Sequence, residues 1–276
     1  MMLERTRDLT RTTVAIAAAA ALAFAGVAGA QATQPAPTAT PAPTAGATTV
    51  ASGPMVEAER LLLAYRTVDA RKAIDAVKDK AASDPAVALA LGRVLEQEKK
   101  YPEALAQLQK AAALSAADPA AHYYLGETYL RQKNAASATA AYTKAADLGA
   151  KAVAAKPTDA RALYFLGAAQ QRLKQYDKAA ATLLKARELD PANPMTTYQI
   201  GATAAFQGRW QDAVTELTQA IDADSGIAYA YYFRALAQDK LGKKDQLVLD
   251  MERFLALAPA APEAAQAAAI VKAAKR

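Results

Sequence analysis

The chain holds one histidine and no cysteine, so the side chains able to do chemistry are few. His122 lies in "AAHYYLGETYL". An imidazole needs a nucleophile or carboxylate within hydrogen-bond reach to act as acid or base. Forty-one residues further on, the same slot of a similar segment holds Leu163, so His122 reads as partly packed rather than catalytic. Carboxylates spaced like Glu96 and Glu98 occur here on ordinary amphipathic stretches. The lack of cysteine excludes disulfides, thiolate metal sites, thiol nucleophiles and a lipid-modified cysteine. No strand pattern precedes a glycine-rich turn, so no phosphate-binding loop is expected. These residues predict no enzyme, no metal site and no cofactor. What remains is aromatic and charged: "YYLGETYLR", "RALYFLGAAQQR", "TYQIGATAAF" and "YYFRALA".

The elements that position those residues repeat. Leu91-Gly92 and Leu125-Gly126 are 34 residues apart, as are Leu166-Gly167 and Ile200-Gly201, and Arg234-Ala235 follows after 34 more. From Gly126 to Gly167 the step is 41, or 34 plus seven. Pro85 to Pro119 and Pro157 to Pro191 keep the same period, and Ser225 stands in that slot 34 before Pro259. After each small residue comes a second set at spacings of four and three: Ala104, Leu108, Ala111; Ala138, Tyr142, Ala145; Ala179, Leu183, Ala186; Ala213, Leu217, Ala220. That spacing is one face of a helix. Each unit therefore reads as a helix, a tight turn and an antiparallel helix. One hairpin cannot bury its own apolar face, so neighbours must stack.

With an apolar residue, Leu-Gly and Tyr in the first helix, Ala, a large apolar residue and Ala in the second, and Pro at the end, the pattern resembles the tetratricopeptide repeat. The resemblance covers about 180 of 276 residues. It implies an all-α, right-handed α-solenoid of stacked antiparallel hairpins with a C-terminal capping helix. The solenoid spans 55–276: a degenerate unit at 55–84, units at 85–118, 119–159, 160–193, 194–227 and 228–261, and a cap at 262–276. In the degenerate unit Ala73, Val77 and Lys80 fall on the second-helix register. The last unit carries Leu247 and Phe254 where earlier ones have alanine, so its second helix must pack differently. The seven extra residues lie in "ADLGAKAVAAKP", where the second helix either lengthens or breaks at Gly149.

The resemblance further implies that the first helices line a concave groove. One slot of that surface reads Leu89, Tyr123, Tyr164, Tyr198, Tyr232, and around it lie Glu127, Arg131, Arg161 and Arg172. Tyr123, Glu127, Arg131, Arg161, Tyr164, Arg172, Tyr198 and Tyr232 are the expected partner-binding residues. Tyrosine rows offer apolar area with hydroxyl handles, suited to a peptide or an exposed helix. The competing reading packs the same rings between hairpins. The Lys and Asn set with which relatives clamp acidic peptide tails is missing, since those slots hold Leu89, Arg93, Tyr123 and Glu127. The function implied is a non-catalytic scaffold binding a protein partner. Its rivals are self-association into a homo-oligomeric envelope component, and glycan binding on the tyrosines.

Outside the repeats, residues 1–30 pair Arg5, Arg7 and Arg11 with an apolar run from Val14 to Ala25 and small residues beyond, the pattern of a secretory signal peptide. The run is short and alanine-built for a bilayer span, so cleavage is favoured over an uncleaved anchor. Export to a periplasm or the extracellular envelope follows, with no membrane span in the mature chain. Residues 31–54 are Pro, Thr and Ala without charge, a linker unable to bury a core. The net charge of +6 is dispersed. Nucleic-acid binders concentrate charge on one face, so no nucleic acid is expected.

Overall fold

The computed structural model describes residues 54–275, which fall within one compact unit. The segments expected to be a signal peptide and a linker, up to residue 53, lie outside the described residues. Pro54, assigned above to the linker, is the first residue of the first helix.

Thirteen helices follow in order, and no strand occurs among the described residues. They are α1 (Pro54–Leu63), α2 (Thr67–Asp75), α3 (Pro85–Gln97), α4 (Tyr101–Leu114), α5 (Pro119–Arg131), α6 (Ala135–Ala155), α7 (Ala160–Arg172), α8 (Tyr176–Leu189), α9 (Pro194–Phe206), α10 (Trp210–Ala223), α11 (Ala228–Lys240), α12 (Lys244–Leu257) and α13 (Ala264–Ala274). A 3-10 turn, Lys78–Ala82, precedes α3. Because α2 ends at Asp75, only Ala73 of the three register positions expected there is helical, and Lys80 is exposed in the 3-10 turn.

Local chemistry sets where each hairpin begins and turns. Asp84, Asp118, Asp159 and Asn193 each accept a backbone N–H of the first helix that follows. Such N-caps are worth about 1 kcal/mol each. Pro85, Pro119 and Pro194 occupy the first turn, where a missing N–H costs nothing. The first helices end on one left-handed residue: Tyr65, Lys99, Lys133, Lys174, Gly208 and Gly242 all have φ between 53° and 74°. There Lys99 N–H reaches Glu96 O (2.9 Å) and Lys100 N–H reaches Leu95 O (2.8 Å), which satisfies the last carbonyls of α3 and reverses the chain.

Packing within a hairpin rests on the small residue of the first helix. A Cβ built on Gly92, Gly167 or Gly201 would lie 2.6–2.7 Å from Cγ of Leu108, Leu183 or Leu217, each fully buried. On Gly126 it would run into the Tyr142 ring. Each such leucine contributes roughly 1.5–3 kcal/mol through burial. The seven extra residues lengthen α6 to 21 residues where α4, α8, α10 and α12 have 14. Gly149 does not break it. It lets the added turns lie against the α7 backbone, where a Cβ would come within 2.9 Å of Leu166 Cβ. In the last hairpin Leu247, Met251 and Phe254 are buried, and Phe254 packs on Tyr232 with ring centroids 5.0 Å apart. These large side chains replace the alanine seam of the earlier units, and α13 packs against α12.

First helices of successive units touch one another: α1 with α3, α3 with α5, α5 with α7, α7 with α9 and α9 with α11. Second helices pack mainly on the first helices of their own and the next unit. The layer whose members are closer is the inside of a curve, so the first helices form the concave wall.

Candidate interaction groove

The tyrosine slot divides into core and surface along the array. Tyr123 (5% exposed) and Tyr232 (6%) are buried, as is Leu89, whereas Tyr164 and Tyr198 are half-buried. Tyr123 packs among Tyr124, Tyr142 and Phe165, with centroids 5.3, 5.9 and 5.8 Å away. Tyr232 packs on Tyr229, Phe233 and Phe254. The ends of the row are thus held between hairpins, and its middle keeps part of its surface exposed. Burial raises the pKa of Tyr164, Tyr198 and Tyr124, the last two well above the ordinary phenol value. Their hydroxyls therefore stay protonated and able to donate.

Each charged candidate is engaged inside the molecule. Glu127 accepts from the Tyr142 hydroxyl (2.5 Å) and from Arg172 Nη2 (2.8 Å). Arg172 Nε lies 2.7 Å from the same carboxylate with its N–H turned off the oxygen, so the bond runs through Nη2. Burial opposes the Arg172 charge, but Glu127 together with Tyr123, Tyr142 and Tyr198 outweighs it and the pKa is raised. Arg161 makes a bidentate pair with Asp118 (2.8 and 3.0 Å) and covers the Phe165 ring at 5.0 Å. Arg131 sits between Glu96 (3.3 Å) and Glu263 (2.9 Å). Tyr123, Glu127, Tyr164, Arg172 and Tyr198 thus belong to one neighbourhood. Arg161 lies at a cleft of about 420 Å³ whose walls include Glu59, Pro85, Leu89 and Asp118. Tyr232 and Arg131 meet the last unit and the α13 cap instead.

Other residues join the concave wall. Arg93 is bound to Glu59 of α1 and stands over the Tyr124 ring at 4.4 Å. Gln171 Nε2 donates to Thr203 Oγ1 (2.8 Å), while the buried Gln199 Oε1 has no hydrogen-bond partner in the protein. The repeat register places Arg93 and Gln199 on the first helices in the slots of Glu127 and Phe165. Nothing local marks Glu59, Tyr65, Tyr229 or Glu263, whose partners lie up to 164 residues away. His122 is half-buried, and burial lowers its pKa, as a packing role requires. Among the described residues no group of three or more His, Asp or Glu is placed to hold a metal ion, and no helix is long and apolar enough to cross a membrane.

A family model for the TPR repeat matches residues 92–133, and one for subunit 3 of the anaphase-promoting complex, or cyclosome, matches 138–220. Among solved structures, TTC0263, a thermophilic TPR protein of Thermus thermophilus, is 21% identical with a TM-score of 0.55, covering 70% of this chain and 99% of that one. YrrB, described as a TPR protein with an unusual peptide-binding site, is also 21% identical, covers 71% and 97%, and has a TM-score of 0.42. The Cut9–Hcn1 hetero-tetramer of the anaphase-promoting complex is 15% identical, covering 80% of this chain and 48% of that chain at 0.43. No curated protein sequence matches significantly. The repeat match over residues 92–133 and the hairpin fold shared with TTC0263 give the described residues the fold of tetratricopeptide-repeat proteins.

Proposed function

We propose that the chain is an exported, non-catalytic scaffold that holds a peptide or helix of a protein partner against the concave wall. The observation that carries this reading is the pair of half-buried rings Tyr164 and Tyr198, beside the buried Gln199 side-chain Oε1, which has no partner in the protein. A buried acceptor left unpaired costs about 1–3 kcal/mol. A ligand N–H supplied there would recover part of that, and the rings supply apolar area at small entropic cost. The charges around them are already paired, so the reading favours a partner segment with few charges over an acidic or basic tail. Export rests on the N-terminal leader pattern alone.

The test is a pull-down from envelope extract with the Tyr164→Ala/Tyr198→Ala chain. We expect loss of a protein captured by the wild type, with helix content by circular dichroism unchanged. Capture at wild-type level by a folded double variant refutes the groove.

A further inference from the structure

The concave wall is closed at one point by residues from opposite ends of the array. Tyr65, in the left-handed turn between α1 and α2, places its ring 5.4 Å from that of Tyr229 at the start of α11, and their hydroxyls are 3.4 Å apart. Tyr229 donates its hydroxyl to Glu263, the residue before α13, and Arg131 of α5 reaches both Glu263 Oε1 (2.9 Å) and the Tyr229 hydroxyl (3.5 Å). Glu96 of α3 completes the cluster on Arg131 Nε at 3.3 Å. Behind it, a Cβ built on Gly226 would lie 3.6 Å from that of Ala64. The first and last hairpins of the solenoid therefore meet, 164 residues apart in sequence.

This contact differs in kind from the seams between neighbouring units. Those bury whole leucine and alanine faces, whereas the closure consists of one aromatic pair, one cation between two carboxylates and two small residues. Tyr65 and Tyr229 are only half-buried, and the side chains of Glu96, Arg131 and Glu263 keep 17%, 19% and 25% of their exposure. A small, partly wet contact can open while the seams stay intact. Its place decides what opening does. Arg131 lies one turn along α5 from Glu127, whose carboxylate accepts from Arg172 of α7 and from the Tyr142 hydroxyl. The cluster thus borders the wall to which partner binding is assigned.

We infer that the α1–α2 hairpin is a clasp, latched by Tyr65 on Tyr229, Arg131 and Glu263, and that a partner reaches Tyr164 and Tyr198 only when the clasp is released. This inference rests on the concave reading above, and the absence of native cysteine allows the two to be tested apart.

In the full chain, Ala64→Cys with Gly226→Cys places two thiols at a Cβ separation within the disulfide range of roughly 3.5–4.5 Å. We expect the cross-link to form in a glutathione redox buffer, and to form roughly tenfold more slowly when Tyr65→Asn or Glu263→Gln weakens the latch. Asn tolerates the left-handed turn, so the substitution removes the ring without straining the backbone. Separately, a lone Tyr164→Cys thiol is treated with iodoacetamide and with a bulky polyethylene-glycol maleimide. Iodoacetamide should label it with the latch intact or weakened, and the bulky reagent faster once Tyr65→Asn is added. Failure of the cross-link overturns the clasp and leaves the groove standing. A cross-link with equal labelling by the bulky reagent in both backgrounds overturns the gating. No labelling by iodoacetamide even with Tyr65→Asn shows that Tyr164 faces no groove, and both readings fall.

Discussion

Replacing Gly167 by alanine tests the seam logic most directly. The added methyl would sit 2.6 Å from Leu183 Cγ, 2.9 Å from its Cδ2 and 3.4 Å from the Ala179 carbonyl oxygen. Leu183 is fully buried and Cγ is not the free end of its side chain, so the hairpin must open to relieve the overlap. Overpacking of this kind costs about 1–3 kcal/mol. Alanine also gains about 1 kcal/mol of helix propensity over glycine, which works the other way. The net expected loss is about 0–2 kcal/mol, or up to roughly 4–8 °C in Tm for a domain of this size. Leu183→Ala alone should cost about 2–5 kcal/mol by leaving a cavity. Combined, the two substitutions put a methyl where the leucine was, so the double variant should lose about 1–2 kcal/mol less than the sum. Thermal melts and urea titrations followed by far-UV circular dichroism give all four corners of the cycle. A Gly167→Ala chain clearly more stable than wild type, or strict additivity, refutes the close-approach account.

Three further outcomes concern the turns and the first interface. Gly242 has φ of 74° with nothing within 4 Å of a built Cβ, so Gly242→Ala should lose about 1 kcal/mol from backbone strain alone. Lys174→Gly, at the same turn position with φ of 61°, should be neutral or stabilising by urea titration, and a loss would contradict the shared turn. Glu98 accepts a bidentate pair from Arg71 of α2 (2.9 and 2.7 Å), and this hydrogen bonding, against a smaller burial effect, holds its carboxyl at about 2. Its folded pKa lies below the unfolded value of about 4.3, so the stabilisation is present above that pH and lost as pH falls towards 2. The stability gap between wild type and Glu98→Gln should narrow over that window, and a gap independent of pH would remove the pair from the account.

The period, the hairpin in each unit and the glycine–leucine seams were all readable in the sequence, because they record contacts between residues close in the chain. Leu247 and Phe254 announced a different last seam for the same reason, since large side chains cannot occupy an alanine slot without new partners. Gly149 was ambiguous in sequence: glycine ends helices and also lets them approach. The continuous 21-residue α6 against Leu166 decided for approach. The tyrosine row shows where sequence stops. Five slots share one register, yet Tyr123 and Tyr232 went into the core and Tyr164 and Tyr198 stayed half-open, because the neighbours that fill or leave space belong to other units.

Closure lay further still from the sequence. A repeat fixes only the step from one unit to the next, and curvature is the sum of many small rotations. Whether Tyr65 meets Tyr229 or misses it depends on that sum, which includes the seven added residues of α6 and the bulky last seam. The sequence alone determined that this chain is a stack of hairpins, since nearest-neighbour packing is written into its period. Only the tertiary structure decided that the ends of the stack meet and which tyrosines remain open.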